Sequence, residues 1–443
     1  MAIQLSEHFS YRKLLMFTIS SIIMMIFTSI YGVVDGFFVS NYVGKTPFAA
    51  VNFITPFLMV LGSVGFMFGT GGSALISKTM GEGDLPKANR IFSLLIYTST
   101  LCAVIISLLG MVLIRPAAAL LGAEGIMLEQ CVLYGRIILI GLPCFVLQFE
   151  FQSLFVTAEK PHLGLTFTIA AGVTNMVLDA LFVGLFSWGL VGAAAATGLS
   201  QAVGGLAPLI YFARKNTSLL RLGRTNFDGV ALLRTCTNGA SELMSNISMS
   251  LVGMLYNMQL MKYAGEDGVA AYGVLMYVNM IFLAAFIGYS VGTAPVIGYH
   301  YGAENRNELQ SLLRKSGVII GVFSAAMFLL AEVLAVPLSM IFVGYSESLM
   351  SLTVRAFRIF SFSFLFAGAA IFGSSFFTAL NDGLTSALIS FLRTLVFQIA
   401  AVLLFPLWFG MDGIWMSVAA AELVAGGCAG LFLVLKRKKY GYF

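Results

Sequence analysis

The chain has 443 residues, 59% of them hydrophobic and 10% charged, with a mean hydropathy of +0.93 and a formal net charge of +5. A soluble domain carries about 25% charged residues, so this composition excludes a solvated globular surface and points to a polytopic membrane protein. The basic residues lie in short loops between apolar runs, which argues against a nucleic-acid partner, and the five cysteines (Cys102, Cys131, Cys144, Cys236, Cys428) show neither a CxxC nor a metal-like spacing.

The first ten residues include Glu7 and His8 and lack the layout of a signal peptide, so the first span is expected to serve as its own insertion signal. Twelve apolar segments follow, at about 15–43, 48–77, 91–114, 130–156, 163–186, 190–213, 237–262, 269–299, 312–335, 350–378, 384–408 and 412–435. Several exceed the ~20 residues that cross a bilayer, so tilt or extension beyond it is expected. The loops are short except for 214–234, between spans six and seven. With the N-terminus inside, 18 Lys and Arg fall in the inner segments and 6, Lys45 among them, at the outer ends. That asymmetry predicts a multi-pass protein of the inner (plasma) membrane with both termini cytoplasmic.

The segments repeat. Gly81 after span two and Gly302 after span eight stand 221 residues apart, and the same offset pairs Gly44 with Gly265 and Ala49-Ala50 with Ala270-Ala271. It also pairs Gly189 and Gly192 with Gly410 and Gly413. The expected fold is therefore all-α, with twelve transmembrane helices in two six-helix lobes, 1–213 and 235–443, joined by a cytoplasmic linker over 214–234. An even number of spans per lobe returns the chain to its starting side. The lobes are then parallel repeats about an axis along the membrane normal, with a cavity between them near the midplane.

Two acids interrupt the apolar runs of the first half. Asp35 lies in span one, and Asp179 lies in span five, four residues after Asn175 and on the same helix face. A charged carboxylate at the centre of a membrane helix costs roughly 2.5–3.5 kcal/mol on insertion scales, so such groups mark functional sites by default. The repeat offset carries Asp35, Asn175, Asp179 and Thr197 onto Tyr256, Val396, Ala400 and Val418: the scaffold is duplicated and this polar cluster is not. Two carboxylates, an amide oxygen and a hydroxyl suit a hard cation such as Na⁺, and two adjacent carboxylates equally suit one proton. The four residues are the candidate coupling site and, with Na⁺, its ligands; interhelical hydrogen bonding is the structural alternative.

Tyr31, Gln201, Glu242 and Tyr256 are candidate pocket residues. Glu242, near the cytoplasmic end of span seven, suits a coupling acid, a substrate contact or a carboxylate snorkelling to the interface. Glu150 suits pore lining or snorkelling equally. Glu422 and Arg393 have no partner identifiable in sequence. The 39 Phe, 16 Tyr and 22 Met suit an adaptable lipophilic pocket but are also ordinary membrane-protein material. Enzyme signals are poor. Gly44-Lys45-Thr46 lacks the glycine a phosphate loop needs at position 39, no HExxH occurs, and His8, His162 and His300 fall in or near loops where solvated histidines are expected. No ATP-hydrolysing module is visible, so active transport would draw on an ion gradient, with no cofactor beyond Na⁺ or H⁺.

These features resemble the multidrug and toxic compound extrusion (MATE) transporters over nearly the whole chain, from about Ser10 to Leu435. Asp35, the Asn175-x-x-x-Asp179 spacing and Thr197 resemble the N-lobe cation and proton site of the DinF-type branch. The resemblance implies a V-shaped pair of lobes, acting as a monomer in the lipid bilayer, that exchanges lipophilic or cationic small molecules for Na⁺ or H⁺ by alternating access. Two departures stand out. Residues 15–43 contain no proline to bend span one, and span ten lacks the acid of the NorM-type branch beyond the edge residue Glu347. A lipid or lipid-linked saccharide flippase is the first alternative, although Arg393 is the chief cation within the spans. A non-transporting receptor or intramembrane enzyme is the second.

Overall fold

Helix boundaries follow from local chemistry. Asp84 accepts a hydrogen bond from the Lys87 amide and Pro86 occupies the first turn, which starts one helix; Pro161 starts another at its first position. The computed structural model describes residues 3–344 and 346–442, apart from the side chains of Ser40, Lys45 and Glu266, so the outer placement of the Lys45 side chain lies outside the described residues. The first half contains α1 (Tyr11–Phe38), α2 (Lys45–Gly81), α3 (Leu85–Leu120), α4 (Gly125–Thr157), α5 (Pro161–Asp179) and α6 (Gly189–Ala213). The second half contains α7 (Gly229–Gly302), α8 (Arg306–Val343), α9 (Glu347–Ser361), α10 (Phe364–Ala379), α11 (Gly383–Phe391), α12 (Phe397–Phe409) and α13 (Met411–Tyr440).

Among the described residues, ten helices are long and apolar enough to cross a membrane, and α9 with α10 makes an eleventh, bent by 47°. The twelfth expected span is the first part of α7. Spans seven and eight are two helices, as expected, that meet at a kink at Gly265 (φ 61°, ψ −148°), and α7 comprises both. The linker expected over 214–234 is non-helical only to residue 228, because Asp228 accepts hydrogen bonds from the Val230 and Ala231 amides and so starts α7 early.

The repeat is written in the backbone as well as in the sequence. Gly44 and Gly265 both have positive φ, as do Gly189 and Gly410 (59° and 57°), and Gly83 and Glu304. Each pair is 221 residues apart. Between the halves, α2 and α7 meet through glycines, where the absent side chain lets two backbones close. A Cβ on Gly81 would run into the Tyr299 carbonyl, and one on Gly302 into the Lys78 carbonyl. The same offset relates these two contacts. Gly239 likewise sits on Met67, and Gly288 on Ile22.

The chain termini close over the same end. The Leu5 amide donates to Glu159 of the first half (2.7 Å), while Glu308 of the second half accepts from the Phe9 amide (2.9 Å) and contacts His8 Nδ1 (2.6 Å). Lys315 donates to the Phe9 carbonyl. Leu5 and Phe9 are fully buried in a core drawn from both halves. At the C-terminus, Tyr440 and Lys436 donate to Asp382 (2.6 and 2.9 Å). His300, expected to be solvated, is instead buried, with the backbone of Leu5 and Glu7 beside its ring. Its position on the interface-facing end of α7 outweighs its nearness to a loop.

Candidate functional site

α1, α5 and α6 bring the four predicted polar residues together. Thr197 Oγ1 donates to Asp35 Oδ1 at 3.4 Å, and Asn175 and Asp179 are the other side chains interacting with Asp35. Asn175 and Asp179 are 1% and 0% exposed, whereas Asp35 is half-buried. Both carboxylate oxygens of Asp179 and Oδ1 of Asn175 are buried without a hydrogen-bond partner among the described residues. Leaving a buried acceptor unsatisfied costs about 1–3 kcal/mol, more for a charged group. Three such oxygens converging on a second carboxylate form a donor set for a hard cation or a proton. Among the described residues no group of three or more His, Cys, Asp or Glu could hold a metal, so an ion here would draw on two carboxylates and neutral oxygens, a set that fits Na⁺.

Both acids adjoin π-helical turns. Residues Ala180–Leu185 follow Asp179 directly, and Val39–Val43 begin four residues after Asp35. Such turns recur at functional sites because they re-aim side chains and loosen the backbone ladder. Close backbone approach helps here too: a Cβ on Gly172 of α5 would overlap the rings of Phe27 and Tyr31 of α1. Tyr134 of α4, which sequence reasoning did not single out, is buried within electrostatic range of both acids. A single tyrosine in an apolar helix carries no periodic signal that would have marked it.

The pocket candidates divide. Tyr31 is half-buried and receives a long contact from Gln148 Nε2 (3.4 Å). Gln201 is buried with a free Oε1 that faces Gly141. Tyr256 is 2% exposed, donates to Gln398 Oε1 (2.8 Å) and stacks on Tyr272, so its hydroxyl finds a partner inside the second half. Glu242 is half-buried, with Arg393 as its electrostatic neighbour. Arg393 and Glu422, unpartnered in sequence, form a bidentate ion pair at 2.8 and 2.9 Å. Glu150 is fully buried and accepts from Ser99 (2.5 Å), so it is held in the interior and does not snorkel.

Two parallel helical halves, closed on one side and carrying a buried acid cluster within one of them, define a multi-span membrane transporter fold. The MatE family model matches residues 20–181 and again 243–404, one copy in each half, and the chain belongs to that family of transporters, which are not enzymes. Among curated relatives, the multidrug export protein MepA of Staphylococcus saprophyticus is 24% identical over 435 residues, covering 97% of this chain and 94% of the relative. MepA of Staphylococcus aureus is 22% identical over 437 residues, with the same coverage. A structure described as the outward-facing conformation of a multidrug resistance MATE family transporter aligns with a TM-score of 0.93 at 22% identity, over 99% of this chain and 98% of that one. MATE structures described as straight and bent align at 0.92 and 0.88.

Proposed function

We propose that this protein exports lipophilic and cationic drug-like compounds across the membrane in exchange for Na⁺ or H⁺, with Asp35 and Asp179 as coupling carboxylates and Asn175 and Thr197 completing the ion's shell. The observation that carries this reading is the pair of unpartnered Asp179 oxygens beside Asp35 and Asn175. Family membership and the multidrug export proteins among the relatives support the substrate class. Clustering of the acids in the first half supports a DinF-like arrangement of the ion site. The basic inner loops support cytoplasmic termini, in which case the glycine-sealed end is the cytoplasmic one and the conformation faces outward. The lobes are taken as 1–213 and 235–443. Ion binding favours one conformation and substrate the other, and that difference in affinity is the whole of the coupling.

The test is transport by purified protein in vesicles with separately imposed Na⁺ and pH gradients. Asp35→Asn and Asp179→Asn are expected to reach the membrane folded and to lose gradient-driven efflux. Wild-type efflux in both variants would sink the assignment.

A further inference from the structure

The repeat offset also runs backwards. It carries Glu242, Arg393 and Glu422 onto Ser21, Gly172 and Gln201, none of them charged. The second half therefore has its own unduplicated cluster, built from three different helical elements: α7, the π-helical turn Leu392–Val396 between α11 and α12, and α13. Arg393 Nε and Nη2 donate to the two oxygens of Glu422, and the side chains are only 14% and 7% exposed. A fork-to-fork pair of this kind uses both carboxylate oxygens and fixes the guanidinium plane. Arg393 is also the opposite charge that Glu242 senses, yet no ion pair or side-chain hydrogen bond joins them. Three charged groups thus contain one satisfied pair and one carboxylate left over.

The position of Glu242 gives that remainder a use. Gly239 is seated on the Met67 backbone across the interface between the halves. Glu242 lies three residues further along α7, about 4.5 Å of helix rise beyond that seat, where the side chain is half-buried while Ser241 is buried. A lone carboxylate at such depth is costly unless a cation meets it. The nearest built-in cation is held by Glu422.

We propose that Glu422 serves to occupy Arg393, so that Glu242 stays free to recognise a single positive charge on a transported compound. This rests on the export reading above and adds the residues that set charge preference. It has an unusual consequence. Losing Glu422 frees Arg393 to turn onto Glu242, so Glu422→Gln mimics Glu242→Gln although Glu422 meets no substrate. Removing Arg393 as well, in R393Q/E422Q, returns Glu242 to its free state and restores the preference.

The experiment compares binding of tetraphenylphosphonium, a permanent lipophilic cation, with that of neutral triphenylphosphine oxide, using the purified full chain in detergent and checking each variant for monodispersity. The wild type is expected to prefer the cation. E242Q and E422Q are expected to lose about tenfold in cation affinity, a difference of about 1.4 kcal/mol, with the neutral compound unchanged, and R393Q/E422Q is expected to regain the wild-type ratio. A merely structural pair would predict the opposite order, with the double variant no better than the single one; that result overturns the inference, as does an unchanged ratio in E242Q. If E422Q does not fold, the contrast between E242Q and R393Q/E422Q decides: equal loss in both overturns the inference, and loss in E242Q alone supports it. A wild type that binds neither probe overturns the export reading and this inference with it. A wild type that binds both without regard to charge overturns this inference alone.

Discussion

At the scale of single residues, the protein separates acids by what satisfies them. Asp179 lies beside Asp35 with both its oxygens unmet, Glu422 is locked to Arg393, and Glu150 is held by Ser99 through one oxygen only. Asp382 lies just outside a membrane-spanning segment and shows the satisfied extreme. Burial alone would push its carboxyl up, but hydrogen bonds from Tyr440, Lys436 and Thr385 outweigh that and hold it at about 2. A carboxyl depressed below its usual value near 3.9 adds stability that is complete above about pH 4 and is lost as pH falls towards 2. Asp382→Asn is therefore expected to cost about 2 kcal/mol at pH 7 by loosening the C-terminal end of α13. The gap between variant and wild type should narrow as pH drops from 4 to 2. Thermal unfolding in detergent across that range checks both parts, and a gap that stays constant with pH would refute the assignment.

At the scale of elements, breaks in helices carry more information than the helices do. Gly265 is the sole interruption of the backbone of α7, and its φ of 61° is strained for any residue with a Cβ. Gly265→Ala is expected to destabilise by about 1–2 kcal/mol. Gly253→Ala, in the same helix with open space around its Cβ position, is expected to be neutral or to stabilise by up to about 1 kcal/mol. Melting curves of the two variants against wild type test the contrast. The offset of 221 made the paired turns at Gly44 and Gly265 legible in sequence, because glycine has a reason to recur where φ must be positive. The cluster of Asp35, Asn175, Asp179 and Thr197 was legible because polar groups are expensive in apolar runs. The Arg393–Glu422 pair was not legible. Its members lie 29 positions apart on different helices, with no shared periodicity to link them. The break between α9 and α10 was equally hidden: Ser361 turns its hydroxyl onto Glu332 and the Arg358 carbonyl, a tertiary choice that composition does not reveal. The burial of His300 was hidden for the same reason, since the N-terminal segment, distant in sequence, lies against it.

At the scale of the whole molecule, alternating access asks two halves that are packed through glycine at one end to come apart there in each cycle. The reciprocal contacts of Gly81 with Tyr299 and of Gly302 with Lys78 make that seam symmetric. Backbone-to-backbone contacts of this kind have little side-chain freedom and either form or do not, as expected of a two-state interface. The seam can be locked. A Cβ built on Gly298 would lie 3.3 Å from the Ser77 Cβ across the two halves, close to the ~3.5–4.5 Å that a disulfide needs. In a background with the five native cysteines replaced, Ser77→Cys with Gly298→Cys is expected to cross-link under mild oxidation and to stop export of a fluorescent cation almost completely. Adding dithiothreitol should restore it, and each single-cysteine variant should transport with or without oxidant. If the cross-linked protein still exports at the rate of the reduced one, these halves do not separate at this seam during transport, and a rocking motion about the α2–α7 contact is ruled out.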